Sequence, residues 1–189
     1  MDNERLNILK LLLETREKVF SIRQIALQRK VNYKSAYNAV KALEKQGLVA
    51  LEKHGNASIC SFSGAFDESV YAVERERLNG LLKNKEFLVL YNRLSKINAQ
   101  FILLLFGSYA KKQQSKQSDI DLLLVSDYPQ QIENQINLLP MKIHLTSVKY
   151  GNFIAMLKSR EFTVVSEAVE HNVILFGTED YYRLVGNAK

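Results

Sequence analysis

The strongest constraint on the fold is a pair of apolar runs that lie on either side of a polar stretch. The run FILLLF ends at Phe106, and the run DLLLVS begins at Asp121. Short apolar runs of this kind are typical of strands buried on both faces of a sheet. Two later runs, MKIHLTSV and VILFG, alternate with the helix-like stretches NFIAMLKS and VVSEAVEH. The pattern predicts an α/β or α+β layered domain in the second half of the chain.

The polar stretch carries a glycine, a serine and two aspartates in positions that suit a phosphate and a metal. Gly107-Ser108 stands where the first strand turns into a short helix, whose first amides have no partner within the helix. Asp119 and Asp121 flank Ile120 at the start of the next strand, so both carboxylates are expected on one face and Ile120 on the other. Adjacent carboxylates repel each other unless a cation lies between them, and hard oxygen ligands suit magnesium. The spacing therefore predicts phosphate donors and metal ligands in one place.

This arrangement resembles the signature of the DNA polymerase beta-type nucleotidyltransferase superfamily, in particular its minimal nucleotidyltransferases. The resemblance rests on Gly107-Ser108, ten intervening residues and Asp119-Ile120-Asp121 between two apolar strands. It implies an α+β domain whose mixed sheet is flanked by helices, and transfer of a nucleotidyl group from a nucleoside triphosphate, expected to be ATP, with Mg²⁺. Gly107, Ser108 and Lys111 would contact the nucleotide, although a solvated helix end is the alternative for Lys111. Asp119 and Asp121 would hold the metal and carry the catalysis.

The chain departs from the pattern of this superfamily at two places. The second glycine that the superfamily usually has after the serine is replaced by Lys112. The superfamily also carries a third carboxylate on a later strand, whereas the run MKIHLTSV places Lys142, His144 and Thr146 on one face. His144 could act as a base, but imidazole is a poor substitute for a carboxylate that bridges magnesium ions. Nucleotide binding with slow or absent turnover therefore stays open.

The first third of the chain has the pattern of three helices and a hairpin. Apolar residues repeat at helical spacing, Ser21 is placed as an N-cap, and Gly47 follows the end of a helix that we expect from Tyr33 to Gln46. The segments LVALEK and SICSFS alternate as two strands. This order resembles a winged helix-turn-helix domain. We therefore predict a mainly-α winged helix-turn-helix domain at residues 1–66, a helical linker at 67–98 and the nucleotidyltransferase-like domain at 99–189.

Positive charge is concentrated in the predicted winged helix. The whole chain has a net charge of +6, and residues 18–53 carry eight lysines and arginines against two glutamates, 8 − 2 = +6. A basic segment in an otherwise neutral chain favours DNA as a partner, and contact with a protein is the alternative. The predicted DNA-binding residues share the outward face of the second helix of the turn or the wing: Lys34, Ser35, Tyr37, Asn38, Lys41 and Lys53. His54 and Asn56 are expected at the wing tip, and a homodimer is expected because paired half-sites strengthen binding.

Composition excludes several classes of protein. No apolar run is long enough to cross a bilayer, and the N-terminus lacks the pattern of a secretion signal, so we expect a cytoplasmic protein. Cys60 is the only cysteine, which excludes an intrachain disulfide and a cysteine-based zinc site.

Two functional hypotheses follow from these patterns. The first is a magnesium-dependent nucleotidyltransferase with a DNA-binding or partner-binding winged helix. Because similar minimal nucleotidyltransferases modify a partner toxin, its acceptor could be a protein hydroxyl. The second is a transcriptional regulator whose transferase-like domain binds a nucleotide without turnover.

Overall fold

The structure, a computed structural model, describes residues 3–16, 18–55, 57–115, 117–159 and 161–188. Asn56, expected at the wing tip, lies outside these ranges. The chain divides into two compact units, residues 1–73 and residues 74–189. The domain boundaries predicted from the sequence stay predictions.

The first unit has the element order of a winged helix-turn-helix, which confirms this part of the predicted fold class. Its elements are α1 (Asn3–Glu14), β1 (Phe20–Ser21), α2 (Ile22–Arg29), α3 (Tyr33–Lys45), β2 (Val49–His54) and β3 (Ala57–Phe62). The strands form an antiparallel sheet in the order β1-β3-β2. The short strand β1 was not predicted, because two residues are too few to show an alternating pattern.

Local signals in the sequence set the ends of α2 and α3. Ser21 caps α2, and its hydroxyl accepts from the amide of Gln24 while the Gln24 side chain accepts from the Ser21 amide. Asn32 caps α3 by accepting from the amide of Ser35. Gly47 follows the end of α3, as expected for a residue that stops a helix.

All three helices and the sheet contribute side chains to the core of the first unit. Its buried side chains are Ile8, Leu9, Leu12, Leu13, Phe20, Ile22, Ile25, Ala36, Val40, Leu43, Leu48, Val49 and Cys60. Burial raises the pKa of the Cys60 thiol to about 11. The thiol is therefore protonated at neutral pH, and its role is packing.

The second unit is a mixed sheet with helices around it, as predicted. Its helices are α4 (Glu68–Leu81), of which residues 74–81 belong to this unit, α5 (Lys85–Leu94), α6 (Gly107–Ala110), α7 (Gln130–Asn137), α8 (Tyr150–Lys158), α9 (Val164–Glu170) and α10 (Thr178–Ala188). Its strands are β4 (Ile102–Phe106), β5 (Ile120–Val125), β6 (Ile143–Val148) and β7 (Val173–Phe176). The order is β6-β5-β4-β7, with β5 and β6 parallel and the other pairs antiparallel. Within the described ranges, no helix combines the length and the apolar character needed to span a membrane.

The side chains of β5 alternate between two buried faces of the sheet. On one face, Ile120, Leu122 and Leu124 of β5 pack in a cluster with residues of α5 and α7. Because side chains alternate along a strand, Asp121 points to the opposite face. Leu123 and Val125, on the same side as Asp121, are also fully buried, so the strand is anchored by core packing on both faces. Asp121 lies near its start and is turned away from the cluster with α5 and α7.

A buried polar network joins α4, α10 and the turn before β7. Arg77 donates to Glu74 at 2.6 Å and also to the carbonyl of Asn172. The hydroxyl of Tyr182 donates to the other Glu74 oxygen at 2.5 Å. Glu74 and Arg77 are 2% and 9% exposed, so the carboxylate depends on these donors instead of on water.

We predict that Arg77→Met lowers the free energy of unfolding by about 3–5 kcal/mol, because it leaves the buried Glu74 carboxylate without its cation. Urea denaturation of the full chain measures the change. The control is Arg183→Met, which removes an exposed ion pair with Asp180 and should cost about 1 kcal/mol or less. The double change Arg77→Met, Glu74→Leu should recover most of the loss, and a double variant as unstable as the single one would contradict the prediction.

Candidate active site

Gly107 and Asp121 are in direct contact at the end of the β4–β5 pair. The register of the two strands places Phe106 opposite Asp121, and the chain turns at the next residue. Gly107 has a φ of +66°, and a Cβ atom built on it would lie 2.3 Å from Oδ2 of Asp121. Only glycine combines this backbone conformation with so close an approach. The turn that carries Ser108 therefore lies against the carboxylate of Asp121, as the sequence led us to expect.

Asp119 lies next to Lys142 of the segment that leads into β6. Nζ of Lys142 is 2.7 Å from Oδ1 of Asp119. This contact lacks the alignment of a hydrogen bond, and Oδ1 is inaccessible to solvent without a hydrogen-bond partner among the described residues. The side chain of Asp119 is nevertheless 38% exposed as a whole, so a ligand can reach the carboxylate.

Strand β6 brings His144 beside Asp121. The parallel register pairs these two residues, and Nδ1 of His144 lies 3.3 Å from Oδ1 of Asp121. The side chain of His144 is 68% exposed, whereas that of Asp121 is 27% exposed. Asp121 of β5 and Asp119, which immediately precedes that strand, thus each have a basic neighbour from the β6 side of the sheet.

The short helix α6 holds Ser108 at the edge of this cluster. Ser108 is half-buried, and the next residue, Tyr109, packs its ring edge-on against Phe87 of α5 with the ring centroids 5.5 Å apart. Lys111, predicted to contact the nucleotide, forms an ion pair with Glu167 of α9, with 3.2 Å between Nζ and Oε1. A phosphate would have to compete with Glu167 for this lysine.

Lys112, at the position where the superfamily usually has a second glycine, has a backbone conformation that favours glycine. Its φ is +57°, in the left-handed region that most residues avoid. This backbone conformation costs a lysine about 1–2 kcal/mol relative to the right-handed region.

The two aspartates fit one magnesium ion. Asp121 lies in β5 and Asp119 immediately precedes the strand, their side chains are 27% and 38% exposed, and Oδ1 of Asp119 already faces a cation, the ammonium group of Lys142 at 2.7 Å. Magnesium commonly takes one or two carboxylates and completes its shell with water and substrate phosphates. The parts of the chain that the structure describes contain no group of three or more acidic, histidine or cysteine side chains placed to hold a metal. Asp119 and Asp121 would hold the ion, with the remaining ligands supplied by the nucleotide and water.

The predicted DNA-binding residues lie together on α3 of the first unit, apart from Lys53 in β2. Lys34, Tyr37, Asn38 and Lys41 are exposed, Ser35 is half-buried, and Lys53 is exposed. The ring of Tyr37 stacks on that of Tyr33, with centroids 6.3 Å apart.

Two of the basic side chains near this face have acidic neighbours. Lys41 donates to Glu44 at 2.7 Å, and this hydrogen bond raises the pKa of Lys41. At the wing, His54 lies 3.5 Å from Glu52. Glu44 and Glu52 are the two glutamates already subtracted in the net charge of residues 18–53, and the structure adds that Glu44 pairs with Lys41 on the α3 face.

Sequence reasoning missed the roles of Lys142 and Glu167 in this site. Lys142 was placed on the same face as His144, but nothing in the local pattern indicated its contact with Asp119. The signal that could have found it is the parallel pairing of β5 and β6, since Ile120 donates to the carbonyl of Lys142. Glu167 lies 56 residues from Lys111 and carries no local signal.

Comparison with known proteins gives a family match for the second unit. The family model described as Polymerase beta, Nucleotidyltransferase matches residues 82–181, which is more than half of the chain. The matched region contains Gly107, Ser108, Asp119 and Asp121. Among proteins with curated functions, none matches this chain significantly.

Solved structures with weak similarity to the chain include the following three. Reduced HlyU from Vibrio cholerae is 20% identical with a TM-score of 0.34, covering 44% of this chain and 80% of its own. Lactococcus lactis ZitR is 22% identical with a TM-score of 0.33, and the match covers 49% of this chain and 61% of the ZitR chain. The adhesin competence repressor AdcR from Streptococcus pyogenes is 22% identical with a TM-score of 0.33, and the match covers 52% of this chain and 69% of the AdcR chain. TM-scores this low do not establish a common fold.

We predict that Gly107→Ala lowers the free energy of unfolding by about 1–3 kcal/mol, because it places a methyl group against the Asp121 carboxylate in a left-handed backbone. Thermal or urea unfolding of the full chain measures this cost. Gly151→Ala is the matched control, since a Cβ there meets no atom within 4 Å and the residue lies in α8. The control should be neutral or stabilising by up to about 1 kcal/mol. Equal stability of the two variants would show that the close approach at Gly107 is not a constraint.

Proposed function

The chain belongs to the Polymerase beta, Nucleotidyltransferase family, and from this premise we propose that it binds a nucleoside triphosphate with Mg²⁺ and transfers the nucleoside monophosphate to an acceptor hydroxyl. ATP is the proposed nucleotide. The observation that carries the proposal is the contact between the Gly107 turn and Asp121, since a phosphate-binding turn and a metal-binding carboxylate have to be adjacent. The half-buried hydroxyl of Ser108 lies in the same turn.

Each side chain at the site has a chemical task in this proposal. The amide and hydroxyl of Ser108 donate to the outer phosphates. Asp119 and Asp121 would hold the magnesium ion, which would supply charge stabilisation at the α-phosphate and for the leaving pyrophosphate. The acceptor oxygen forms a bond to the α-phosphorus as the bond to the bridging oxygen of the β-phosphate breaks.

The proton of the acceptor hydroxyl needs a base, and His144 is the proposed one. If Nδ1 of His144 carries the hydrogen and donates it to Asp121, the other ring nitrogen has a lone pair that can accept a proton. Its exposed position on β6 also allows an acceptor as large as a protein or nucleic acid to approach. The acceptor could be a partner protein such as a toxin.

One observation supports the alternative, a regulator that binds the nucleotide without turnover. Lys142 and His144 contact the two carboxylates that the chemistry requires, so both acids have basic neighbours before a metal arrives. A site of this kind can bind a nucleotide as a signal even if transfer is slow.

We predict that the full chain, incubated with Mg²⁺ and each of the four nucleoside triphosphates labelled at the α-phosphate, transfers label to itself, to a partner protein or to nucleic acid. The near-isosteric variant Asp119→Asn, Asp121→Asn should reduce transfer by more than about 100-fold, because even changes to the partners of metal ligands cost 10–100-fold. Unfolding curves for both proteins control for stability. Tight nucleotide binding without transfer would select the regulator, and the absence of binding to any of the four nucleotides would contradict both functions.

We further propose that the first unit binds DNA through the outward face of α3 and the wing. The exposed Lys34 and Lys41 lie seven residues apart, and so at the same side of the helix, with Tyr37 and Asn38 between them. The lysines and Tyr37 would contact phosphates, and Asn38 could read an adenine edge. Lys53 would reach a phosphate from the wing. A homodimer binding two half-sites would strengthen the complex.

We predict that Lys34→Ala, Lys41→Ala weakens binding to a mixed-sequence DNA duplex and lowers the slope of log K against log salt by about 1.8, because each lost phosphate contact releases about 0.9 counterion less. Fluorescence anisotropy over a salt series measures the slope. Lys83→Ala, Lys85→Ala removes the same charge from exposed positions of the second unit and should leave the slope unchanged. Glu44→Gln, which removes the partner of Lys41, should tighten binding. Equal slopes for the α3 variant and the wild type would remove the DNA proposal.

A further inference from the structure

Lys142 and His144 occupy a defined position relative to the two aspartates. The parallel β5–β6 register pairs Asp121 with His144, and the amide of Ile120 donates to the carbonyl of Lys142 at 2.9 Å. The backbone of the sheet therefore sets the places from which the lysine and the histidine reach toward the carboxylates. The conformations of the Lys142 and His144 side chains then set their distances from the carboxylates.

The basic side chains are much more exposed than the acidic ones. The side chain of Lys142 is 79% exposed against 38% for Asp119, and His144 is 68% exposed against 27% for Asp121. An exposed lysine holds such an ion pair weakly, because water competes for both charges. Lys142 can therefore leave Asp119 when a metal arrives, but its ammonium group stays within reach of whatever binds there.

The donor set is sufficient for one divalent ion and insufficient for two. Asp119 and Asp121 supply two carboxylates, and within the described ranges no group of three or more metal-binding side chains is present. A second ion would have to share these carboxylates and would lie beside the ammonium of Lys142, which repels it. The charge that a second ion would bring is already supplied by the lysine.

We propose that the site holds a single divalent ion and that Lys142 binds the phosphates of the nucleotide in place of a second ion. This inference rests on the proposed function and assigns a phosphate-binding role to a residue outside the Gly107 turn. The ammonium group has three hydrogen-bond donors and suits phosphate oxygens as a mobile point charge. Lys142 exchanges the Asp119 carboxylate for phosphate when the metal and nucleotide bind together.

The test counts metal ions directly. The full chain is mixed with one equivalent of α,β-methylene ATP, which cannot transfer its nucleoside monophosphate, and Mn²⁺ is titrated while free Mn²⁺ is followed by electron paramagnetic resonance. We expect one tightly bound Mn²⁺ per chain in the wild type. The variant Lys142→Ala, His144→Asp lacks both basic neighbours and has a third carboxylate. It should bind two Mn²⁺ ions per chain. Two ions in the wild type would overturn the inference.

Nucleotide affinity separates a phosphate-binding lysine from one that only blocks the metal. With Mg²⁺ present, Lys142→Ala should weaken analogue binding about tenfold or more in calorimetry, because a charge-assisted contact is lost. Lys142→Arg should restore most of the affinity, and Lys158→Ala, at an exposed position of α8, should leave it unchanged. Unchanged or tighter binding by Lys142→Ala would overturn the inference but leave the proposed function intact. A wild-type chain that binds no analogue would overturn both.

Discussion

The candidate site depends on the close approach of the Gly107 backbone to the carboxylate of Asp121. Strands β4 and β5 are paired so that Phe106 lies opposite Asp121, and the chain has to leave the sheet at the next residue. A side chain at that point would enter the space of the carboxylate. The turn and the acidic strand are thus held together by backbone pairing and by the apolar face of β5, before any ligand binds. This is the preorganisation that binding of a highly charged ligand requires.

The charges around this contact differ in how firmly they are held. Asp121 lies in β5 and Asp119 immediately precedes β5, so the positions of both follow from a strand that is packed in the core. Lys142, His144 and Lys111 reach the site with longer or more exposed side chains, and Lys111 is shared with Glu167 of α9. The acidic residues are therefore placed by the sheet, whereas Lys142 and His144 are mostly exposed.

A second set of contacts, far along the chain from these residues, joins the two ends of the second unit. Glu74 and Arg77 of α4 bond to Tyr182 of α10 and to the carbonyl of Asn172, so a buried polar network joins the first and last helical segments of the unit. The segment that contributes Glu74 and Arg77 precedes the region matched by the family model, which begins at residue 82. The stability of this unit therefore depends on residues that carry none of the family's chemistry.

The sequence alone determined the features that depend on local periodicity and local hydrogen bonds. Apolar runs predicted the strands, the spacing of two predicted that Ile120 and the aspartates would lie on opposite faces, and Ser21 predicted the start of α2. Tertiary structure decided that Lys142, just before β6, and His144 of β6 lie beside Asp119 and Asp121, and that Glu167 faces Lys111. These contacts depend on strand order and on the crossover from β5 to β6, and no local pattern encodes the register between strands that are distant in sequence. The same holds for Arg77, because its partners come from the opposite end of the unit and meet it only when the fold is complete.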